Sequence, residues 1–163
     1  MRQTGLRPAT TEAILQLRES MGTHMGRTIL GAVAGMVMTF ITIMLIEFAS
    51  HHFYPPPPGL NPMGAEDMAT ILLSVTLGAK LAVIVAWVVG AFDGGMVAAL
   101  IAGRKRPRTA AMVPGLMVVA GVILIILQIP HPMLMSAAGL LLPIPAALAG
   151  AWLVGLARAR KRP

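Results

Sequence analysis

TAAMVPGLMVVAGVILIILQIP, running from Thr109 to Pro130, carries no charged side chain, and RKRPR, Arg104 to Arg108, lies directly before it. A bilayer-spanning helix needs roughly 20 mostly apolar residues. This stretch meets that length and starts at a dense positive edge. Beyond His131 a second uncharged run, Pro132 to Ala157, ends at Arg158, Arg160, Lys161 and Arg162. Two apolar spans joined by so short a turn, with positive charge at both far ends, read as a helical hairpin that crosses a membrane and returns.

Working toward the N-terminus, Ala79 to Gly103 qualifies as a further span if Asp93 is admitted, and Thr28 to Ile46 is uncharged throughout. The whole chain of 163 residues is 56% hydrophobic and only 12% charged. Its mean hydropathy is +0.79. An ordinary soluble domain is about a quarter charged, so the missing charge identifies the bilayer as the solvent, and the four spans leave no room for a soluble domain of normal size. Thr28 to Ile46 is too long for a signal-peptide core, and Phe48-Ala49-Ser50 is a poor cleavage site, so a retained span is expected.

The net charge of +7 points to nucleic acid only if its distribution is ignored. Arg2, Arg7, Arg18 and Arg27 precede the first span, Arg104, Lys105, Arg106 and Arg108 separate the second from the third, and the remaining cluster follows the fourth. Twelve of the 13 basic residues thus fall on one side, with Lys80 alone on the other. Basic loops stay cytoplasmic, and such clusters serve topology and anionic headgroups.

The expected fold is therefore an all-α integral membrane protein. Four transmembrane helices, at about 28–49, 79–103, 109–129 and 133–156, form an up-down-up-down bundle with both termini cytoplasmic. Residues 1–26 make an N-terminal segment, 27–157 the transmembrane domain and 158–163 a basic cytoplasmic tail. Ile14, Leu17 and Met21 recur at helical spacing, which predicts a short amphipathic helix over Thr11 to Met21 on the inner membrane surface. Met21 and Met25 are alternative starts that would remove it. The outer loop, 50–78, opens with His51-His52-Phe53-Tyr54 and four prolines, Pro55 to Pro58. A polyproline run rises about 3.1 Å per residue and would hold the next segment about 12 Å from the first span. Asn61-Pro62 reads as a turn. Met68 to Leu77 predicts an interfacial helix continuing into the second span, and Phe53 and Tyr54 suit an interfacial aromatic position.

Asp93 is the sharpest polar anomaly, because a carboxylate near mid-membrane costs at least about 2.5 kcal/mol to insert. Lys80, thirteen residues away on the same helix, is roughly 20 Å distant at 1.5 Å rise per residue. Thr39 and Thr42 on the first span match Asp93 in depth, so a protonated Asp93 bonded to one of those hydroxyls is a candidate proton or cation site. The competing reading is a purely structural hydrogen bond. Gly90 and Gly94 bracket Asp93 at the spacing that lets helix backbones approach closely, and Gly31 and Gly35 repeat it in the first span. If those faces meet, Asp93 is drawn toward the threonines.

At the outer face, Glu47 and His51 are four apart, and His52 and His131 lie at the same level, as do Glu66 and Asp67. Imidazoles with a carboxylate suit zinc, but the spacing matches no metal motif, and interfacial residues with Glu47 paired to histidine are the simpler reading. No metal and no other cofactor is expected. No two histidines face each other in mid-membrane, as haem ligation across a bundle requires. With no cysteine, thiol catalysis and disulfides are excluded. Pro143 and Pro145 interrupt the fourth span and free carbonyls one turn earlier, which kinks a helix or, in transporters, lines an ion path. Pro114 lies near a helix start. The 13 methionines read as adaptable packing.

Tyr54-Pro-Pro-Pro-Pro-Gly-Leu60, Ala86-Trp-Val-Val-Gly-Ala-Phe-Asp-Gly-Gly95 and Ile129-Pro-His-Pro132 resemble segments of small, uncharacterised four-span inner-membrane proteins of bacteria. The resemblance covers about Ile29 to Leu156 and implies a fold and a bacterial cytoplasmic membrane, but no activity. Small multidrug exporters also have four spans, with an acid inside the first. Here the first-span acid, Glu47, is at the membrane edge. No nucleophile–base pair, phosphate loop or dinucleotide fingerprint is present, so a non-enzymatic accessory or structural component is expected. Its expected partners are the lipid bilayer and another membrane protein or a second copy of the chain, with no nucleic acid. A small oligomeric transporter or channel using Asp93, and a metal binder using His51, His52 and His131, are the alternatives.

Overall fold

The computed structural model describes residues 8–55, 59, 64, 67, 70, 71, 74, 76–128 and 133–160, with side chains from Gly22 onward. Four helical stretches are long and apolar enough to cross a membrane: Gly22–Phe53, Leu77–Ala102, Pro107–Gln128 and Met133–Arg160.

The first stretch belongs to a longer helix, α1, Pro8–Phe53, of 46 residues. Proline at its first position gives up an N–H that has no helical partner anyway. At 1.5 Å per residue the helix is roughly 69 Å long, more than twice the thickness of a hydrocarbon core. The segment expected as a separate surface helix, Thr11 to Met21, is instead continuous with the first span. No proline interrupts the junction, and Thr28 Oγ1 donates to the His24 carbonyl at 2.9 Å, a bond made within a helical turn. The helix also runs past its expected end at 49, so His51 and His52 occupy its last turn rather than the loop. It stops at Tyr54 because the residue before a proline is sterically driven out of the helical region.

Helix α2, Leu77–Ala102, has its own start. Thr76 is extended (φ −62°, ψ 158°) and its hydroxyl accepts from the Ala79 N–H at 3.4 Å, satisfying a donor that the helix leaves free. The expectation that a helix over Met68 to Leu77 runs into the second span therefore fails at Thr76. Helical backbone does occur at Asp67, Thr70, Ile71 and Ser74. At its other end α2 closes on Gly103, whose φ of 81° favours glycine. Helix α3, Pro107–Gln128, again begins with proline, so the inner link is shorter than Arg104 to Arg108.

The fourth span is two helices, α4, Met133–Leu141, and α5, Pro143–Arg160. Pro143 and Pro145 have no N–H to offer Gly139 and Leu141. The ladder resumes on both sides of the break: Leu142 N–H donates to Ala138 O and Ala146 N–H to Leu142 O, both at 3.0 Å.

Helix α2 packs on α1, α3, α4 and α5, whereas, among the described residues, α1 and α5 each pack on α2 and α3 and make no comparable contact with one another. The buried face of α2 is Ala86, Trp87, Gly90, Ala91, Gly94, Gly95, Ala98, Ala99 and Ala102, almost all small. Large apolar side chains point outward instead, Phe40 and Trp152 each 60% exposed and Leu124 59%. Small inside and large outside inverts a water-soluble core. It is the arrangement of helices that meet by close backbone approach in lipid. One close junction joins three helices: a Cβ added at Gly94 would meet the Gly35 carbonyl of α1 at 2.6 Å and the Pro114 ring of α3 at 3.1 Å. Pro114 is thus well inside α3 and fully buried, and its ring fills the junction. Leu77-Gly78 is held against the end of α1 by Tyr54, whose Oη lies 2.6 Å from where a Gly78 Cβ would stand, so the two ends of the outer loop meet.

Candidate functional site

The polar groups with a claim to chemistry lie in three places: at the α1–α2 contact, at its end near Phe53 and at its end near Gly103, which the charge order leads one to expect as the outer and inner ends.

The contact is organised by its glycines. Gly31 faces Ala98 and Ala102, Gly35 faces Gly94 and Ala98, and Gly90 faces Thr39 and Ile43. This progression brings the first-span threonines to the level of Asp93. Thr39 is 0% exposed, and its hydroxyl donates to the Gly90 carbonyl at 3.0 Å. Thr42, one turn on and offset around the helix, donates to Asp93 Oδ2 at 3.5 Å. The two threonines therefore divide the work, one bonding backbone and one bonding the acid. Asp93 itself is half-buried, set beside the glycine seam rather than within it. At 3.5 Å, at the outer limit for a hydrogen bond, the Thr42–Asp93 contact holds the carboxyl loosely. Helical geometry explains the split, because residues three apart are displaced by about 60° around the axis.

At the outer end, Glu47 is half-buried and His51, one turn on, is exposed. The continuous helix places both on one face. His52 is exposed, and its ring meets Phe53 edge-on with centroids 5.5 Å apart. Two imidazoles in a last helical turn are favourably placed toward the negative end of the helix dipole. Among the described residues no three His, Asp or Glu side chains converge as metal ligands. His131 and Glu66 lie outside the described residues.

The inner end holds what the charge pattern did not single out. Arg27 Nε donates to the Ile101 carbonyl at 3.3 Å. Arg158 Nη1 and Nη2 donate to Ala99 O at 3.4 Å and Leu100 O at 2.9 Å. Two arginines far apart in sequence thus serve three consecutive carbonyls of the last turn of α2. Those oxygens have few helical partners and carry the negative end of the dipole. In the sequence Arg27 and Arg158 look like any other positive-inside residue, and the only available signal is their position at the apolar boundary. No family model, curated protein or solved structure matches the chain.

Proposed function

We propose that the chain is a multi-pass protein of the bacterial cytoplasmic membrane, its spans arranged up-down-up-down with both termini in the cytoplasm. It acts there as a non-enzymatic accessory component, its proline-rich outer loop the contact surface for another membrane protein. The observation that carries this reading is the use made of polar groups within the helix contacts and at their edge. Thr39 bonds α2 backbone, Thr42 bonds Asp93, and Arg27 and Arg158 bond the end of α2. Each joins one helix to another, as structural groups do in lipid. The orientation rests on the twelve basic residues grouped on one side.

The test is extraction in mild detergent followed by native mass measurement and identification of what co-migrates. A defined larger complex containing a second protein supports the accessory role. A bare monomer or homo-oligomer sinks it.

One observation favours a second reading, a proton-linked transporter or channel. Asp93 is a half-buried carboxyl within a span, and its partner on the neighbouring helix, among the described residues, is a hydroxyl at 3.5 Å rather than a charged group. Substituting Asp93→Asn keeps the shape and removes the carboxyl group. An accessory role survives that change, whereas proton-coupled flux in liposomes does not.

A further inference from the structure

Two grooves lie side by side where α5 crosses the end of α2. One, of about 340 Å³, is lined by Arg104, Pro107, Gly155, Arg158 and Ala159. The other, of about 400 Å³, is lined by Met96, Leu100, Leu153, Val154, Ala157 and Arg158. Arg158 belongs to both. Among the described residues, neither lining contains a carboxylate.

The order of these residues along the helices gives the pair a polarity. On α5 the apolar groove takes Leu153, Val154 and Ala157, and the basic one reaches Ala159. On α2 the apolar groove takes Met96 and Leu100, and Arg104 lies past the helix end at Gly103. The basic end thus faces out of the span and the apolar end faces into it. The two volumes fall within the usual range for small-molecule sites, about 300–1,000 Å³ each.

The arginines are suited to an anion. Arg158 is held in place by Ala99 and Leu100 through one N–H of each Nη. A guanidinium has five such donors, so others remain to meet an oxyanion, and its orientation is already fixed. Arg104 is exposed beside it. Guanidinium groups match phosphate geometry by paired hydrogen bonds, and basic pockets between membrane helices on the cytoplasmic side hold anionic headgroups.

We propose that this double groove binds one anionic glycerophospholipid of the inner leaflet, its phosphate on Arg104 and Arg158 and an acyl chain along Leu100, Leu153 and Ala157. Charge complementarity selects an anionic over a zwitterionic headgroup, and the apolar groove selects a lipid over a free phosphate. The inference rests on the membrane reading above, and the order of the experiment separates the two. Recovery of the protein in the soluble fraction without detergent overturns the membrane reading itself.

With detergent-purified full-length protein, dioleoylphosphatidylglycerol and dioleoylphosphatidylcholine are added in turn, and bound lipid is counted by native mass spectrometry alongside the thermal midpoint. One phosphatidylglycerol is expected to be retained at least tenfold over phosphatidylcholine, with a raised midpoint. Arg104→Gln, at an exposed residue outside the helices, should reduce that retention several-fold. Ala157→Trp, which fills the apolar groove and leaves both arginines, should reduce it as well. Equal retention of the two lipids, or retention unchanged in both variants, overturns the proposal. Inorganic phosphate alone raising the midpoint as much as phosphatidylglycerol overturns it too, since the acyl groove then contributes nothing.

Discussion

Gly94 has Thr39 Oγ1, the Gly35 carbonyl and the Pro114 ring around the place a side chain would occupy. A methyl group there meets backbone, which cannot turn aside. Gly94→Ala is therefore expected to destabilise the fold by about 1–3 kcal/mol, the usual cost of overpacking, read as a lower thermal midpoint in detergent. Gly121 on α3 has nothing within 4 Å of such a methyl. Gly121→Ala should leave the midpoint unchanged or raise it, by up to about 1 kcal/mol, since alanine loses less conformational freedom in a helix. A fall in both variants alike would mean that the glycine seam is not where the helices meet. Thr39→Val keeps the shape of a fully buried side chain and deletes one bond to Gly90. Interhelical hydrogen bonds of this kind average about 0.6 kcal/mol, so a small loss is expected, and Thr39→Ser should recover most of the bond. A loss of several kcal/mol from Thr39→Val would show that Thr39 supports more than this one contact.

At the scale of elements, the end of α2 is held by side chains from both flanks. Arg158→Gln removes the charge that serves Ala99 and Leu100. Favourable charge at a helix terminus contributes about 0.3–1 kcal/mol, so the last turn should fray. Hydrogen–deuterium exchange at the Gly103 amide, which bonds Ala99 O, is expected to accelerate. Arg160→Gln changes the same charge outside that contact and should not affect the rate. Equal rates in both would remove the cap as an explanation. Some helix ends have a local cause that stands in the sequence. Pro55 ends α1 and Pro107 starts α3 by local sterics alone. The N-terminal segment was misread for a related reason. Ile14, Leu17 and Met21 do carry helical periodicity, but periodicity cannot tell a separate helix from the first turns of a longer one. The separate start of α2 at Thr76 was missed, because the apolar run around it concealed the break.

For the whole molecule, orientation is directly testable because the chain contains no cysteine. Single substitutions His52→Cys and Lys105→Cys, both at exposed positions, can be labelled with a membrane-impermeant maleimide on intact spheroplasts. Cys at 52 should react and Cys at 105 should react only after permeabilisation. The reverse pattern would invert the topology and move the arginine end to the outer face. Hydropathy and charge order are sums over the chain, so four apolar spans and a basic side could be read without coordinates. Which small residues meet is different in kind. The rotation of each helix about its axis is set jointly by every helix it touches, and small residues occur on more than one face. Both Thr39 and Thr42 lay at the depth of Asp93. Only the seating of α1 on α2 and α3, through Gly35, Gly94 and Pro114, turned Thr42 to the acid and Thr39 to the backbone. Arg27 and Arg158 were likewise two among twelve until helix packing brought them to neighbouring carbonyls of one helix end, Ile101 for Arg27 and Ala99 and Leu100 for Arg158.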